Sequence, residues 1–211
     1  ERGAPVPEDR SGRIGLMSGG DPGGGLRQRQ AGVLEDVGHA QQATGRRWAD
    51  LFDERIALPL GLTATTWGHP LRPNLDPKKV TNPNLQGGVY TTAEDYGRFL
   101  GMIAGGGAVG GRRILSEAAI AEMERVQTAG RPMAYRPPGI GDLEAYDLGN
   151  WCEAPAPDGA CLMASSPGAF GVYPWIDRRT GLYGLFFLKH QLPLVVAPIR
   201  EARALILSAT P

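Results

Sequence analysis

The segment that most constrains the fold of this chain is the run of residues 82–123, because it carries its own helix start and stop signals. Thr91 and Thr92 follow a Gly-Gly turn, and either threonine can cap a helix, with acidic residues at 94–95 placed to complete a capping box. Three glycines at 105–107 end this predicted helix. Apolar residues recur between these signals at helical spacing, which predicts one inward-facing side: Tyr96, Phe99, Leu100 and Ile103.

A second helix is predicted directly after the first. The chain turns at Gly110 and Gly111, continues through an apolar pair at 114–115, and reaches Ser116, whose hydroxyl can cap a helix. The apolar side of that helix is then formed by three residues: Ile120, Met123 and Val126. The sequence therefore predicts two amphipathic helices joined by a glycine-rich turn.

The preceding part of the chain gives weaker signals. Residues 1–30 hold few large apolar groups and suit a poorly ordered tail, whereas residues 31–42 form a weakly amphipathic helical pattern. Residues 63–86 are spaced by prolines and are predicted to form a loop. Between residues 42 and 63, a clearer apolar pattern predicts a helix that stops at Pro59. Its apolar face is formed by four residues: Trp48, Leu51, Phe52 and Ile56.

Strand signals dominate the chain after residue 142. Turn chemistry at 155–159 and 178–181 supports short connections between strands. Apolar spacing in residues 198–209 predicts a terminal helix laid on the sheet, so the predicted fold class is α+β, with an antiparallel sheet flanked by helices. The strands of this sheet are predicted to form an antiparallel meander from four apolar or alternating segments: residues 146–151, 161–164, 170–176 and 182–188.

The composition excludes some classes of function. The 211 residues include 22 basic and 22 acidic residues, so the formal net charge of +0 provides no basic surface for nucleic acid. No apolar run reaches membrane-spanning length, and the first residues do not form a signal peptide. A start at Glu1 rather than Met is compatible with a processed or truncated chain. We expect no nucleic-acid partner and no membrane span.

The two cysteines allow two interpretations. Cys152 and Cys161 flank a Pro/Gly/Asp turn, so they could form a disulfide across it, which would indicate an oxidising compartment, or remain ordinary thiols. The histidines are far apart in sequence, and no Cys-x-x-Cys or His-x-x-x-His spacing occurs, so no metal and no cofactor is predicted. The histidines are His39, His69 and His190.

Three of these segments resemble the serine β-lactamase-like family, which includes class C β-lactamases, penicillin-binding proteins and family VIII carboxylesterases. Residues 87–116 show its Gly-Gly turn, Thr-capped helix and Gly-x-x-Ile-Leu-Ser sequence. Residues 48–67 resemble its helix followed by Pro-Leu-Gly, and residues 166–177 resemble the strand of its third motif. The resemblance implies a β-lactamase/transpeptidase-like fold that is incomplete at the N-terminus. It also implies a serine hydrolase that forms an acyl-serine on a small-molecule ester, β-lactam or D-amino peptide substrate.

The resemblance also sets the expected domain organisation. Residues 1–42 are a poorly defined N-terminal segment, and residues 43–211 are the C-terminal part of a β-lactamase-like domain. Within that part, residues 43–130 are helical, and residues 142–211 hold the sheet and the terminal helix. A sheet without its upstream strands has an unpaired edge, so self-association through that edge is expected.

The catalytic motifs that the resemblance implies are present only in part. The family nucleophile is the serine of a Ser-x-x-Lys motif, and no serine of this chain has a lysine three residues later. Counting without gaps places Gln28 at the tyrosine of the second motif, and glutamine cannot act as a base. The third motif falls on residues 166–168, where the strand edge could offer backbone donors to an oxyanion.

Two hypotheses about function remain. In the first, the chain is part of a serine hydrolase, an esterase or β-lactamase-like enzyme, whose nucleophile segment is absent from these residues. In the second, it is a catalytically inactive homologue that acts as a binding or structural module.

The candidate site within the chain lies around the third motif. Ser166 is the candidate nucleophile, although no basic residue lies at a helical or strand spacing from it. The alternative is that the Pro-Gly pair only bends the start of a strand and that the aromatic side chains belong to the core. The candidate substrate-binding residues are Pro167, Gly168, Phe170 and Tyr173.

Overall fold

The computed structural model describes residues 14–16, 40–68, 76, 79–80, 83, 85, 87–128, 136–141, 143 and 145–210. The predicted tail at 1–30, with the exception of strand residues 14–16, lies outside the described residues, as do Gln28 and most of the predicted helix at 31–42. Residues 40–44 are helical. The chain divides into two compact units, and the boundary lies between Arg98 and Phe99.

The first helix, α1, has a π-helical middle. It comprises the α-helical turns Trp48–Phe52 and Leu58–Leu60, joined by the π-helical stretch Asp53–Ala57. The predicted stop at Pro59 is therefore wrong, because the wider π-turn before the proline relieves the clash of its ring with the preceding carbonyls. The helix ends instead at Gly61, which adopts φ 65°.

A small antiparallel sheet belongs to the same unit. Its strands are β1 (Ile14–Leu16), β2 (Thr66–Trp67) and β3 (Val89–Thr91), in the order β1-β3-β2. Strand β2 lies inside the segment predicted to be a loop. It forms because Trp67 packs edge-on against two aromatic rings of α1, with ring centroids 5.7 Å from Trp48 and 5.2 Å from Phe52.

Helix α2 (Ala93–Ala104) confirms the strongest sequence signal. The hydroxyl of Thr92 accepts a hydrogen bond from the Asp95 N–H at 3.2 Å, so Thr92 is the N-cap. The predicted capping box does not close, because the Asp95 carboxylate accepts hydrogen bonds from residues 63–65 instead. The glycine stop is also observed: a Cβ on Gly107, which has φ 90°, would lie 2.3 Å from the Leu115 carbonyl oxygen.

A hairpin and a short helix follow. Strands β4 (Ala108–Val109) and β5 (Arg112–Arg113) pair around the Gly-Gly turn, and helix α3 (Glu117–Met123) begins at the predicted cap. The Ser116 hydroxyl accepts a hydrogen bond from the Ala119 N–H at 3.0 Å. Val126 lies beyond the end of α3 rather than on it, but its side chain is buried.

The second unit is built on a five-stranded antiparallel sheet with the order β10-β9-β8-β7-β6. The predicted strand at 146–151 is two strands joined by a turn, because Gly149 adopts φ 92° and the Asp147 N–H bonds to the Asn150 carbonyl at 2.8 Å. The strands are β6 (Ala145–Tyr146), β7 (Trp151–Cys152), β8 (Met163–Ser165), β9 (Tyr173–Asp177) and β10 (Tyr183–Phe186).

The terminal helix, α4 (Leu192–Ser208), begins six residues before its predicted start at residue 198. Pro193 occupies the first turn, where a missing N–H is tolerated, so it starts the helix rather than breaking it. The helix covers one face of the sheet. The core of this unit joins helix and sheet residues: Ile140, Trp151, Met163, Tyr173, Trp175, Leu192 and Ile199.

A disulfide links β7 to the segment before β8. Cys152 and Cys161 are bonded, with their Cα atoms 5.6 Å apart, which decides between the two interpretations of these cysteines. Both are buried together with Val126 and Ala164. In the described part of the chain, no helix combines the length and hydropathy that a bilayer span requires.

Candidate functional site

Ser166 follows strand β8 and is half-buried. Its hydroxyl donates a hydrogen bond to the Gly149 carbonyl at 3.4 Å. Among the residues that the structure describes, no basic side chain is hydrogen-bonded to this hydroxyl. A serine nucleophile requires an adjacent base or a lowered pKa, so the observed surroundings do not activate Ser166.

The backbone donors of the third motif are already used within the chain. The Ser166 N–H donates to the Pro174 carbonyl at 3.3 Å, and the Gly168 N–H donates to the Val172 carbonyl at 2.7 Å. Pro167, between them, has no N–H. An oxyanion hole needs donors that point at the developing charge, so the motif would have to rearrange before it could bind an oxyanion.

The remaining predicted site residues face different surroundings. Phe170 is half-buried, and its carbonyl accepts a hydrogen bond from the His190 N–H at 3.0 Å. Tyr173 is fully buried in the core, with 0% of its surface exposed, so its ring offers no surface to a solute in this conformation. Residues 166–170 thus lie together in the connection between β8 and β9, whereas Tyr173 is separated from solvent. Substrate binding by these residues stays a prediction.

A buried charge network surrounds the Tyr173 hydroxyl. The Glu153 carboxylate accepts two hydrogen bonds from Arg203, at 2.8 and 2.6 Å, and one from the Tyr173 hydroxyl at 2.7 Å. Burial raises the pKa of Glu153, but the hydrogen bonds and charge of Arg203 outweigh it and hold that pKa below its usual value. Burial, followed by the charge of Glu153, raises the pKa of Tyr173. No local pattern in the sequence indicates this network, because Glu153 lies in a turn and Arg203 on the terminal helix.

A second arginine, the half-buried Arg178, binds the end of helix α2. Its guanidinium donates to the carbonyls of Ala104 at 2.7 Å and Ile103 at 2.9 Å, which are among the last carbonyls of α2. The same guanidinium makes two hydrogen bonds to Glu124, at 2.8 and 2.6 Å. Arg178 was predicted only as part of a turn, since a partner so distant in sequence leaves no local pattern.

The carboxylate of Asp147 is the least expected group of the second unit. It is 2% exposed, and in the described part of the chain neither carboxylate oxygen has a hydrogen-bond donor. Burial, followed by the negative charge of Glu124, raises the pKa of Asp147 to about 7. Its carboxylate and the sulfur atoms of Cys152 and Cys161 all lie within 4.8 Å of one another. The sequence does not indicate this cluster, because the pattern at 146–151 predicts a continuous strand that includes Asp147.

A separate cavity of about 420 Å³ opens on the first unit. Burial, followed by the charge of Asp50, raises the pKa of Asp53 in this cavity. The volume is in the range of small-molecule sites. None of the predicted site residues lies there. Its lining comes from α1 and from the segment that includes β2: Arg47, Ala49, Asp50, Asp53, Thr65, Thr66 and Trp67.

Comparison with known proteins places the chain among β-lactamase-like folds. A family model described as Beta-lactamase matches residues 31–208. A protein from Bacteroides dorei, provisionally titled a beta-lactamase, is similar at 34% identity and a TM-score of 0.61, covering 74% of this chain and 47% of that protein. A beta-lactamase from Mycobacterium bovis is similar at 15% identity and a TM-score of 0.56, covering 82% of this chain and 62% of that protein.

A family VIII carboxylesterase is also similar, at 16% identity and a TM-score of 0.52, covering 74% of this chain and 50% of that protein. The chain thus spans about half the length of the solved structures it matches. No protein of curated function matches it. The predicted family and the predicted β-lactamase/transpeptidase-like fold are confirmed, since the family match covers most of the 211 residues. The chain belongs to the beta-lactamase family.

Proposed function

We propose that the chain forms part of a serine hydrolase that transfers the acyl group of a small ester or amide substrate through an acyl-serine intermediate. The observation that carries this proposal is the family match over residues 31–208. The similarity to a structure titled a family VIII carboxylesterase supports an ester as one substrate class.

The nucleophile in this proposal is not Ser166. The 211 residues contain no Ser-x-x-Lys motif, and the Ser166 hydroxyl bonds to a backbone carbonyl instead of a base. We therefore assign the nucleophile to a segment that these residues do not include. The described sheet and helix α4 then form part of the scaffold that supports the active site.

The second candidate is a catalytically inactive module. The specific observation in its favour is that the third motif uses its own backbone donors internally, with the Gly168 N–H bound to the Val172 carbonyl. If this arrangement persists in the complete gene product, the family fold would serve for binding or assembly rather than for acyl transfer.

A covalent probe separates the proposals. The 211-residue chain and the complete product of its gene are each treated with a fluorophosphonate and examined by intact-mass spectrometry, beside hydrolysis of a p-nitrophenyl ester and a chromogenic cephalosporin. We expect no adduct on the 211-residue chain, and one adduct with turnover on the complete product.

The results of the probe experiment distinguish the hydrolase from the inactive module. Absence of an adduct and of turnover in both samples would exclude the hydrolase and favour the inactive module. An adduct on the 211-residue chain that disappears in Ser166→Ala would show that Ser166 is a nucleophile after all. In that case the assignment to an outside segment would be wrong.

A further inference from the structure

The cluster of Asp147, Cys152 and Cys161 places a buried carboxyl group beside two sulfur atoms. The Asp147 carboxylate is 2% exposed, and neither of its oxygens has a donor among the described residues. A buried carboxylate without a partner costs free energy, and natural proteins seldom retain one without a proton, an ion or a function to account for it.

Among the described residues, the charged groups near this carboxylate offer it no compensating cation. Glu124, which is also buried, carries the same negative charge. The guanidinium of Arg178 is already bound by both Glu124 oxygens and by the end of α2. The apolar residues buried with the two cysteines, Val126 and Ala164, carry no charge that could compensate the carboxylate.

We propose that reduction of the Cys152–Cys161 disulfide creates a binding site for a thiophilic divalent cation such as zinc, with Asp147 as the third protein ligand. Two thiolates and one carboxylate are a donor set that suits zinc, and a water can occupy a fourth position. The three donor atoms already lie within 4.8 Å of one another. Zinc–sulfur bonds of about 2.3 Å in a tetrahedral site place two sulfurs about 3.8 Å apart, so after reduction the two sulfurs must separate from bonding distance to about that spacing.

The chemistry requires an external reductant, which we name as a dithiol. The dithiol donates two electrons and two protons, its own sulfurs form a disulfide, and the Cys152–Cys161 bond breaks to give two thiols. The cation then displaces both thiol protons to solvent as two metal–sulfur bonds form. The Asp147 carboxyl group releases any proton it holds to solvent and supplies a metal–oxygen bond. The buried negative charge of Asp147 is thereby compensated by the cation.

The site joins separate parts of the sheet, so cation binding would depend on the fold. Asp147 follows β6, Cys152 ends β7, and Cys161 precedes β8. The strand pairing holds Cys152 opposite Ala164 and Ala145. An unfolded chain could offer its two thiols to a metal, but it would not hold the carboxylate beside them.

Cadmium titration of the 211-residue chain tests this proposal, since cadmium–thiolate bonds absorb in the ultraviolet. The chain is titrated in its oxidised form and after reduction with a phosphine, which does not compete as a thiol, while near-ultraviolet circular dichroism checks that it remains folded. We expect one equivalent to bind to the reduced chain and none to the oxidised chain. Asp147→Asn should weaken binding by about tenfold or more, as expected when a ligand is lost.

Asp158→Asn is the matched control, because Asp158 is an exposed carboxylate in the turn between the two cysteines. Its cadmium affinity should equal that of the unaltered reduced chain. Equal affinity in Asp147→Asn would overturn the proposal, since the cysteines alone would then bind the metal. Absence of binding to the reduced chain, or loss of its folded signal on reduction, would overturn it as well.

Discussion

Replacement of Arg203 by methionine tests the buried charge network most directly. Arg203 is 8% exposed and supplies two of the three hydrogen bonds to the Glu153 carboxylate, at 2.8 and 2.6 Å. Methionine fills similar volume but removes both donors and the positive charge. Glu153 then keeps the Tyr173 hydroxyl, while Arg200, whose Nε is 3.9 Å from one carboxylate oxygen, is too distant for a hydrogen bond.

Breaking a buried ion pair by removing one partner costs about 3 to 5 kcal/mol. We expect Arg203→Met to lower the free energy of unfolding by about 3 kcal/mol, near the lower limit, because Arg200 can move towards Glu153. The double variant Arg203→Met/Glu153→Gln should lose less than the sum of its single variants, since it leaves no buried charge unpaired. Urea unfolding at pH 7, followed by tryptophan fluorescence, measures each value.

The same pair sets a pH dependence. The pKa of Glu153 in the folded state is below its usual value. The pair therefore stabilises the fold fully at pH values above the unfolded-state pKa of Glu153. This stabilisation is lost as the pH falls through the folded-state pKa. The penalty of Arg203→Met should therefore be constant near neutral pH and shrink as the pH falls below the usual glutamate pKa of 4.5. Arg112→Met, at an exposed strand position, should change stability by less than about 0.5 kcal/mol. A loss below about 1 kcal/mol in Arg203→Met, or additive losses in the double variant, would refute this reasoning.

Three further predictions concern packing, capping and the sheet edge. Gly184→Ala should destabilise the second unit by about 1 to 3 kcal/mol in urea unfolding, because a Cβ there would lie 2.6 Å from the buried Trp175 ring. Unchanged stability would show that the ring can move. Ser116→Ala should cost about 1 kcal/mol in the same assay through loss of the α3 cap, whereas Ser116→Asp should retain most of the stability; equal losses in both variants would contradict a capping role. We propose that the chain self-associates through β10, an outer strand of the sheet whose Tyr183 is 47% exposed. Tyr183→Lys should therefore reduce the association measured by sedimentation velocity. A wild-type chain that stays monomeric at high concentration would rule this out.

The features that the sequence predicted are those with short-range causes. The start of α2 at Thr92 and of α3 at Ser116 follow from hydroxyl groups that cap N–H groups three residues away. The order of strands in the meander follows from short turns between consecutive segments. In each case the residues that determine the structure are neighbours in the chain.

The features that were missed depend on partners distant in sequence or on backbone conformation. Glu153 and Arg203 are 50 residues apart, so no local pattern links them. Alternating apolar residues at 146–151 suggested one strand, because the pattern does not reveal that Gly149 reverses the chain. The apolar spacing at 198–209 does not reveal the start of α4, because the helix begins at Leu192 and Pro193 already occupies its first turn.

The bond between Arg178 and the end of α2 has a consequence for the order of folding. Its guanidinium reaches carbonyls 74 and 75 residues earlier in the chain, so during synthesis the end of α2 emerges long before the residue that binds it. Contacts of such high sequence separation form only after a large loop has closed. The last turn of α2 and the turn between β9 and β10 should consequently open and close together, as one cooperative unit in native-state hydrogen exchange.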